Sequence, residues 1–356
     1  MRRQVRPVIS KRRVKEFREA FVGEIDSLVA VYRRAAAESL EILSNAAESL
    51  FQWRRAKALL RQYHEVLAEL RDESAAWISA NMPACYQAGI DFADEGVRRI
   101  RRAGVNLGRP QYTVFAGVHR EAVAAIVEEM QKTVDVALAQ IGRRVDDVFR
   151  KVGMQEISRG IAEGRTRVEV SREIESRLRA EGQLKFTTKR WKDKAGQFHR
   201  GQEWELDRYT EMVARTTTRE AMTQGTVNRL QEHNIELAQV SAHNSADFCI
   251  FYESVVVSLT GEPVAGYPPL SSINGGPPFH PNCQHVLTPF VLALATEKEQ
   301  QAGKIEGELL DQTPAQLQKR FREDFPDRAK AEGRRLWQQR NARRARGRRT
   351  PVETTS

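Results

Sequence analysis

The sequence predicts a mainly α-helical protein that carries one small α+β domain. Three observations predict it: apolar residues recur every three or four positions over most of residues 10–182, short aromatic and β-branched runs replace that pattern after Gly182, and a Pro- and Gly-rich stretch, 261–281, separates two of those runs. At 356 residues the chain is long enough for more than one hydrophobic core. The expected division is a long-helix region over 1–182, a compact domain of short strands plus a helix over 183–295, and a helical, arginine-rich tail over 296–356.

Val14, Phe17, Phe21, Ile25, Leu28 and Tyr32 open a helical stripe that runs on through Leu50. Ser10 is its expected cap and Asn81-Met82-Pro83 its expected stop, because the residue before a proline is pushed out of the helical region. A break is placed near Asn45. A second stretch, 84–103, ends in the turn-forming run 104–110. From Phe115 to Val152 the apolar positions step by three or four throughout, which predicts one long helix, and shorter helices are expected over 154–163 and 167–181. Such stripes read as core or as seams between subunits.

Residues 185–200 place aromatic and threonine side chains on both sides of Lys194-Ala195-Gly196, the pattern of a hairpin. A helix over 204–234 follows, then strands over 238–243, 254–259 and 285–291, with the 261–281 loop too long to be a hairpin turn. Thr313-Pro314-Ala315-Gln316 combines a capping threonine, proline at the first helical position and glutamine where a capping box requires it. A last helix is expected to follow Pro326 and to fray into the arginine-rich end.

The net charge of +10 is concentrated at the two ends. Residues 2–18 carry eight Lys or Arg against Glu16 alone; residues 334–349 carry Arg334, Arg335, Arg340, Arg343, Arg344, Arg346, Arg348 and Arg349 with no acid. The body between them is mildly acidic, so any contact with a polyanion such as DNA belongs to the ends, which read equally well as solvated helix termini. Three scattered cysteines do not make a disulfide framework and point to a reducing compartment. The basic N-terminus has no apolar stretch behind it, and no segment approaches the roughly 20 apolar residues of a membrane span, so no membrane partner is expected.

His243, Asp247, Cys249, His280, Cys283 and His285 gather in one region. Cys249, His280, Cys283 and His285 are a candidate ligand set for structural zinc, which takes thiolate and imidazole donors in a closed tetrahedral site. Tyr252 stands where a second cysteine would make CxxC, and the alternative is a set of buried cysteines and hydrogen-bonded histidines that close a small fold. Two catalytic readings use the same letters: a cysteine hydrolase with His243, His280 or His285 as base, and a metal-dependent nuclease built on His280, Asn282 and His285. There is no phosphate loop, HExxH or GxGxxG to support them. Arg215 and Arg219 share a helix face with Thr218, which suits either an anion site or bonding to neighbouring loops.

Three segments together, ARTTTREAMTQGTVNR (214–229), SAHNSADFCIFYE (241–253) and PPFHPNCQHVLTPF (277–290), resemble the phage minor head proteins of the Mu F-like head morphogenesis group, most closely its phage minor capsid protein branch. The resemblance covers residues 209–291, about a quarter of the chain. It implies a structural protein and not an enzyme, present in few copies inside the procapsid and virion, made in the host cytoplasm and placed near the portal protein, with major capsid or scaffolding protein and phage DNA as further partners. It also implies structural roles for the motif residues Arg215, Thr216, Arg219, Asp247, Pro281 and Asn282. Many relatives carry a second cysteine after the one matching Cys249, and cysteine where this chain has His285, so metal binding is not inherited through the motif.

Overall fold

A computed structural model describes residues 8–49, 53–166, 168–170, 172–173, 176, 185–187, 191–192, 198–199, 201, 203–273, 276–280 and 283–347. The chain is mainly α-helical with a small three-stranded sheet, and it forms two units. Among the described residues, one comprises Ile9–Asn234 with His280–Gln284 and is built of helices; the other comprises Val8, Ile235–Phe279 and the chain from His285 to Gly347, and holds the sheet.

The helical unit contains α1 (Lys11–Glu19), α2 (Val22–Ser49), α3 (Trp53–Arg102), α4 (Tyr112–Ala162) and α5 (Leu206–Glu232). Ser10 caps α1 by accepting a hydrogen bond from the Arg13 N–H, as its side chain is suited to do. The buried side chains follow the stripes of the sequence: Ile25, Leu28, Tyr32 and Leu43 on α2, and Met130, Val134, Ala137, Ile141, Val145 and Val148 on α4. α3 packs against α2, α4 and α5, so α5 belongs to this unit and not to the sheet it precedes in sequence. Phe17 stacks on Phe92 with ring centroids 4.1 Å apart, and Arg13 reaches Glu95 at 2.9 Å, which docks α1 on α3. At the α3–α5 crossing two glycines let the backbones touch. A Cβ on Gly89 would sit 2.1 Å from the Met222 carbonyl oxygen, and one on Gly225 would sit 2.2 Å from that of Tyr86.

Three expectations about helix ends are corrected. Pro83 does not stop a helix; it lies within α3, where Ile78, Met82, Cys85 and Tyr86 are buried on both sides of it and the Asn81 side chain donates to the Trp77 carbonyl at 2.9 Å. Packing on both flanks outweighs the missing N–H. α2 continues through Asn45 and ends at Ser49, four residues beyond the expected break, and a further interruption falls between α1 and α2. The expected 154–163 helix is the continuation of α4, which runs unbroken to Ala162. The 167–181 helix lies largely outside the described residues.

The turn after α3 is as expected: Gly104, at φ +86°, closes a Schellman motif in which the Val105 N–H bonds the Ile100 carbonyl and the Gly104 N–H bonds that of Arg101. Asn234, at φ +59° beyond α5, bonds through its side chain to the carbonyls of Leu107 and Arg109 and accepts from Gln111, so the end of α5 is pinned to the α3–α4 turn. The hairpin is present and doubled. β1 (Lys185–Thr187) pairs antiparallel with β4 (Glu203–Glu205), and β2 (Trp191–Lys192) pairs with β3 (Phe198–His199) inside it.

In the second unit, β5 (Leu237–Val240) is the centre of a three-stranded antiparallel sheet, flanked by β6 (Val256–Ser258) and β7 (Leu287–Phe290). Leu237 stands opposite both Ser258 and Phe290. β7 carries Pro289 at no cost to the ladder because it is an edge strand. Each strand is buried along its whole length, because the long loop and the following helix cover it: Tyr267 packs with Leu237, Val256 and Phe290, and its hydroxyl donates to the Gln300 carbonyl at 2.9 Å. α6 (Glu297–Ala302), α7 (Gly307–Leu310), α8 (Pro314–Asp324) and α9 (Pro326–Gly347) follow. The capping box at Thr313 and Gln316 is formed as expected, and Leu317 and Phe321 of α8 are buried. No helix among the described residues is long and apolar enough to cross a membrane.

Candidate functional site

The residues singled out in the sequence are distributed over both units. Cys249 and His285 lie in the sheet unit and His280 and Cys283 in the helical one, so the expected zinc set takes two members from each. Asp247 caps the short 3-10 turn Phe248–Tyr252: its carboxylate accepts from the Cys249 N–H and the Ser245 hydroxyl, both at 2.9 Å. Pro281, Asn282, Arg348 and Arg349 lie outside the described residues. Arg334, Arg335, Arg340, Arg343, Arg344 and Arg346 lie on α9, where Arg335 pairs with Glu332 at 2.7 Å.

Within the sheet unit, the residue that organises the histidines is one the sequence reading did not single out. Glu253 ends the segment 241–253, and its Oε1 accepts the backbone N–H groups of His243 at 3.1 Å and Ser245 at 2.8 Å. His285 Nε2 lies 3.5 Å from the same oxygen and His243 Nδ1 4.0 Å, and the two imidazole rings are 4.3 Å apart. The only advance signal was an acid closing a motif-like stretch, since the three residues are brought together by the sheet: His243 follows β5, Glu253 precedes β6 and His285 precedes β7. Burial pushes the Glu253 carboxyl up, but hydrogen bonds from His285 and the two backbone N–H groups outweigh it and hold the net value below the ordinary carboxylate range.

A carboxylate with a depressed folded value contributes stability that is fully present above the unfolded value of about 4.3 and is lost as pH falls through the folded one. Glu253→Gln is expected to lower stability at neutral pH by about 1–3 kcal/mol and to remove part of the acid-induced loss below about pH 4.5, read by denaturant titration across pH.

In the helical unit, the motif 214–229 is spent on packing and on one continuous polar network. Thr216 and Thr226 donate to the carbonyls of Met212 and Met222, and Thr226 also reaches that of Gly89. Asn228 donates to the Tyr86 hydroxyl at 2.7 Å; that hydroxyl bonds His119 Nδ1 at 2.7 Å; and His119 Nε2 faces Glu232 at 3.1 Å. A hydroxyl that accepts from Asn228 keeps its own proton to donate to Nδ1, and an Nε2–H then donates to Glu232. Arg229 completes the network, bonding Glu232 at 2.7 Å and Asp94 through two nitrogens at 2.7 and 3.2 Å.

Arg219 donates to the Arg18 carbonyl, and its Nη1 is buried without a hydrogen-bond partner. It lines a cavity of about 260 Å³ together with Arg18, Arg215, Met222, Cys283 and Ile25. Burial, then the Arg18 charge, pushes the Arg219 pKa down to about 10, so the guanidinium stays charged at neutral pH. Such a cavity can accept an anionic group. Cys85, buried on α3, has its thiol pushed up to about 12 by burial, which makes it inert at neutral pH.

No curated protein and no solved structure matches this chain. A family model described as phage minor capsid protein 2 matches residues 21–325, which takes in the four long helices α2, α3, α4 and α5, the sheet and α8. With most of its length under that match, the chain belongs to the phage minor capsid protein 2 family and has a structural role in a phage capsid.

Proposed function

We propose that this minor capsid protein sits inside the head of a tailed phage, next to the portal protein, and assists head assembly, DNA packaging or ejection by binding, with no catalytic step. The observation that carries the binding role is the use made of the motif residues: Gly225, Thr226, Asn228 and Arg229 all serve helix packing and the buried network, and none is directed at a reacting group. The exposed apolar side chains of Tyr112, Val114 and Val118 at the start of α4 suit a protein that meets other virion components, major capsid or scaffolding protein among them. Co-expression with the portal protein of the same phage tests the reading. Capture of the portal by the tagged chain at moderate salt is expected; a portal that assembles and is never captured contradicts it.

A contact with phage DNA through the basic end is part of the same proposal. Six of the eight arginines are carried by a described helix, α9, along which they have no acid among them. Deleting 334–356 is expected to weaken binding to duplex DNA by about tenfold or more at low salt and to flatten the dependence of log K on log salt, since each neutralised phosphate contributes a slope of about −0.9. Unchanged affinity and slope would remove the tail from DNA binding.

A further inference from the structure

We propose that His243, Glu253 and His285 form a binding site for a single divalent metal ion, zinc by its ligand chemistry. The three residues come from one unit, and one ligand atom from each lies within 4.8 Å of the other two. Around tetrahedral zinc, with bonds of about 2.0–2.2 Å, neighbouring donors stand ~3.3 Å apart. The His285 Nε2 to Glu253 Oε1 separation of 3.5 Å already has nearly that value, and the His243 Nδ1 to Oε1 separation of 4.0 Å needs to close by less than an ångström. His243 is the member with room to do so, on the loop after β5 and partly exposed, whereas His285 is fixed by burial at the start of β7.

The surroundings favour a metal at this place. The backbone N–H groups of His243 and Ser245 fix the Glu253 carboxylate through Oε1, the kind of outer support that orients a ligand before the ion arrives. Two imidazoles and one carboxylate suit zinc and leave a fourth position; the side chains of His243 and Glu253 are 19% and 13% exposed, enough for a water to reach it. This ligand set contains no cysteine and shares only His285 with the Cys249, His280, Cys283 and His285 set expected from sequence.

The test uses the full chain, stripped with a chelator and titrated with Zn²⁺ and with Co²⁺. One equivalent of zinc is expected to bind and to raise the melting temperature. The cobalt form is expected to show visible ligand-field bands without sulfur-to-cobalt charge transfer in the near ultraviolet. Glu253→Gln and His243→Ala are each expected to weaken zinc about tenfold or more against a chromophoric chelator, while Cys249→Ser and Cys283→Ser leave stoichiometry and spectrum unchanged. Absence of zinc binding overturns the proposal, and so does a charge-transfer band that Cys283→Ser abolishes, which would place the metal on thiolates. Circular dichroism of each metal-free variant separates a lost ligand from a lost fold, and the cobalt spectrum of the unaltered chain needs no variant.

Discussion

Gly225→Ala is expected to destabilise the helical unit by about 3 kcal/mol or more, an unusually large effect for the addition of one methyl group to a helix. The new Cβ would stand 2.2 Å from the Tyr86 carbonyl oxygen and 3.1 Å from its carbon. Both obstacles are backbone, so neither can rotate away. α3 and α5 would have to separate, and the contacts on either side of the crossing would loosen together, including the bond from Thr226 to the Gly89 carbonyl. Gly89→Ala is expected to behave alike, since its Cβ would meet the Met222 carbonyl at 2.1 Å. Gly23, on α2 with nothing within 4 Å of an added Cβ, is the control: alanine there should be neutral or stabilising by up to about 1 kcal/mol, because it helps the helix and meets no obstacle. Thermal and denaturant unfolding of the three variants reads the contrast. Equal stabilities for Gly225→Ala and Gly23→Ala would mean that the two backbones do not touch.

Arg229→Ala is expected to cost about 3–5 kcal/mol, for a different reason. Glu232 is nearly fully buried, with 3% of its side chain exposed, and Arg229 is the permanent cation that neutralises it. Removal of the guanidinium leaves Glu232 with only the His119 contact and leaves Asp94 without its two-point partner. The carboxylates outweigh burial and raise the Arg229 pKa, so its charge is present at any working pH. The pair Arg229→Met with Glu232→Gln is expected to recover a large part of the loss, because it removes both charges while keeping the volume of each side chain; a double-mutant cycle by urea denaturation measures it. Additive losses would show that the two residues act separately.

Much of the fold could be read directly from the amino-acid sequence. The stripe of α4 was legible because Met130, Val134, Ala137, Ile141, Val145 and Val148 are buried at helical spacing, and the Thr313 box was legible because capping is a local matter of side chain and adjacent backbone. Pro83 misled because its effect on the chain is local whereas the packing that carries α3 past it is not. The membership of α5 in the helical unit depends on Gly89 and Gly225, more than a hundred positions apart, and no periodicity within either helix reports their meeting. The candidate site divides in the same way. His243 and His285 were visible as histidines in a suggestive region, but Glu253 acquires its role only when three strands of the sheet bring it between them. The motif letters of α5 pointed to a family before they explained anything; the structure accounts for Gly225, Asn228 and Arg229 as packing, network and charge compensation.

The most direct test of an internal, portal-associated role is quantitative mass spectrometry of purified particles of the phage that encodes this chain, with protease applied before and after osmotic opening of the heads. The protein is expected at low copy relative to the major capsid protein, protected in intact heads, digested once they are opened, and cross-linked to the portal. A protein absent from purified particles, or digested in full from intact ones, would contradict that role.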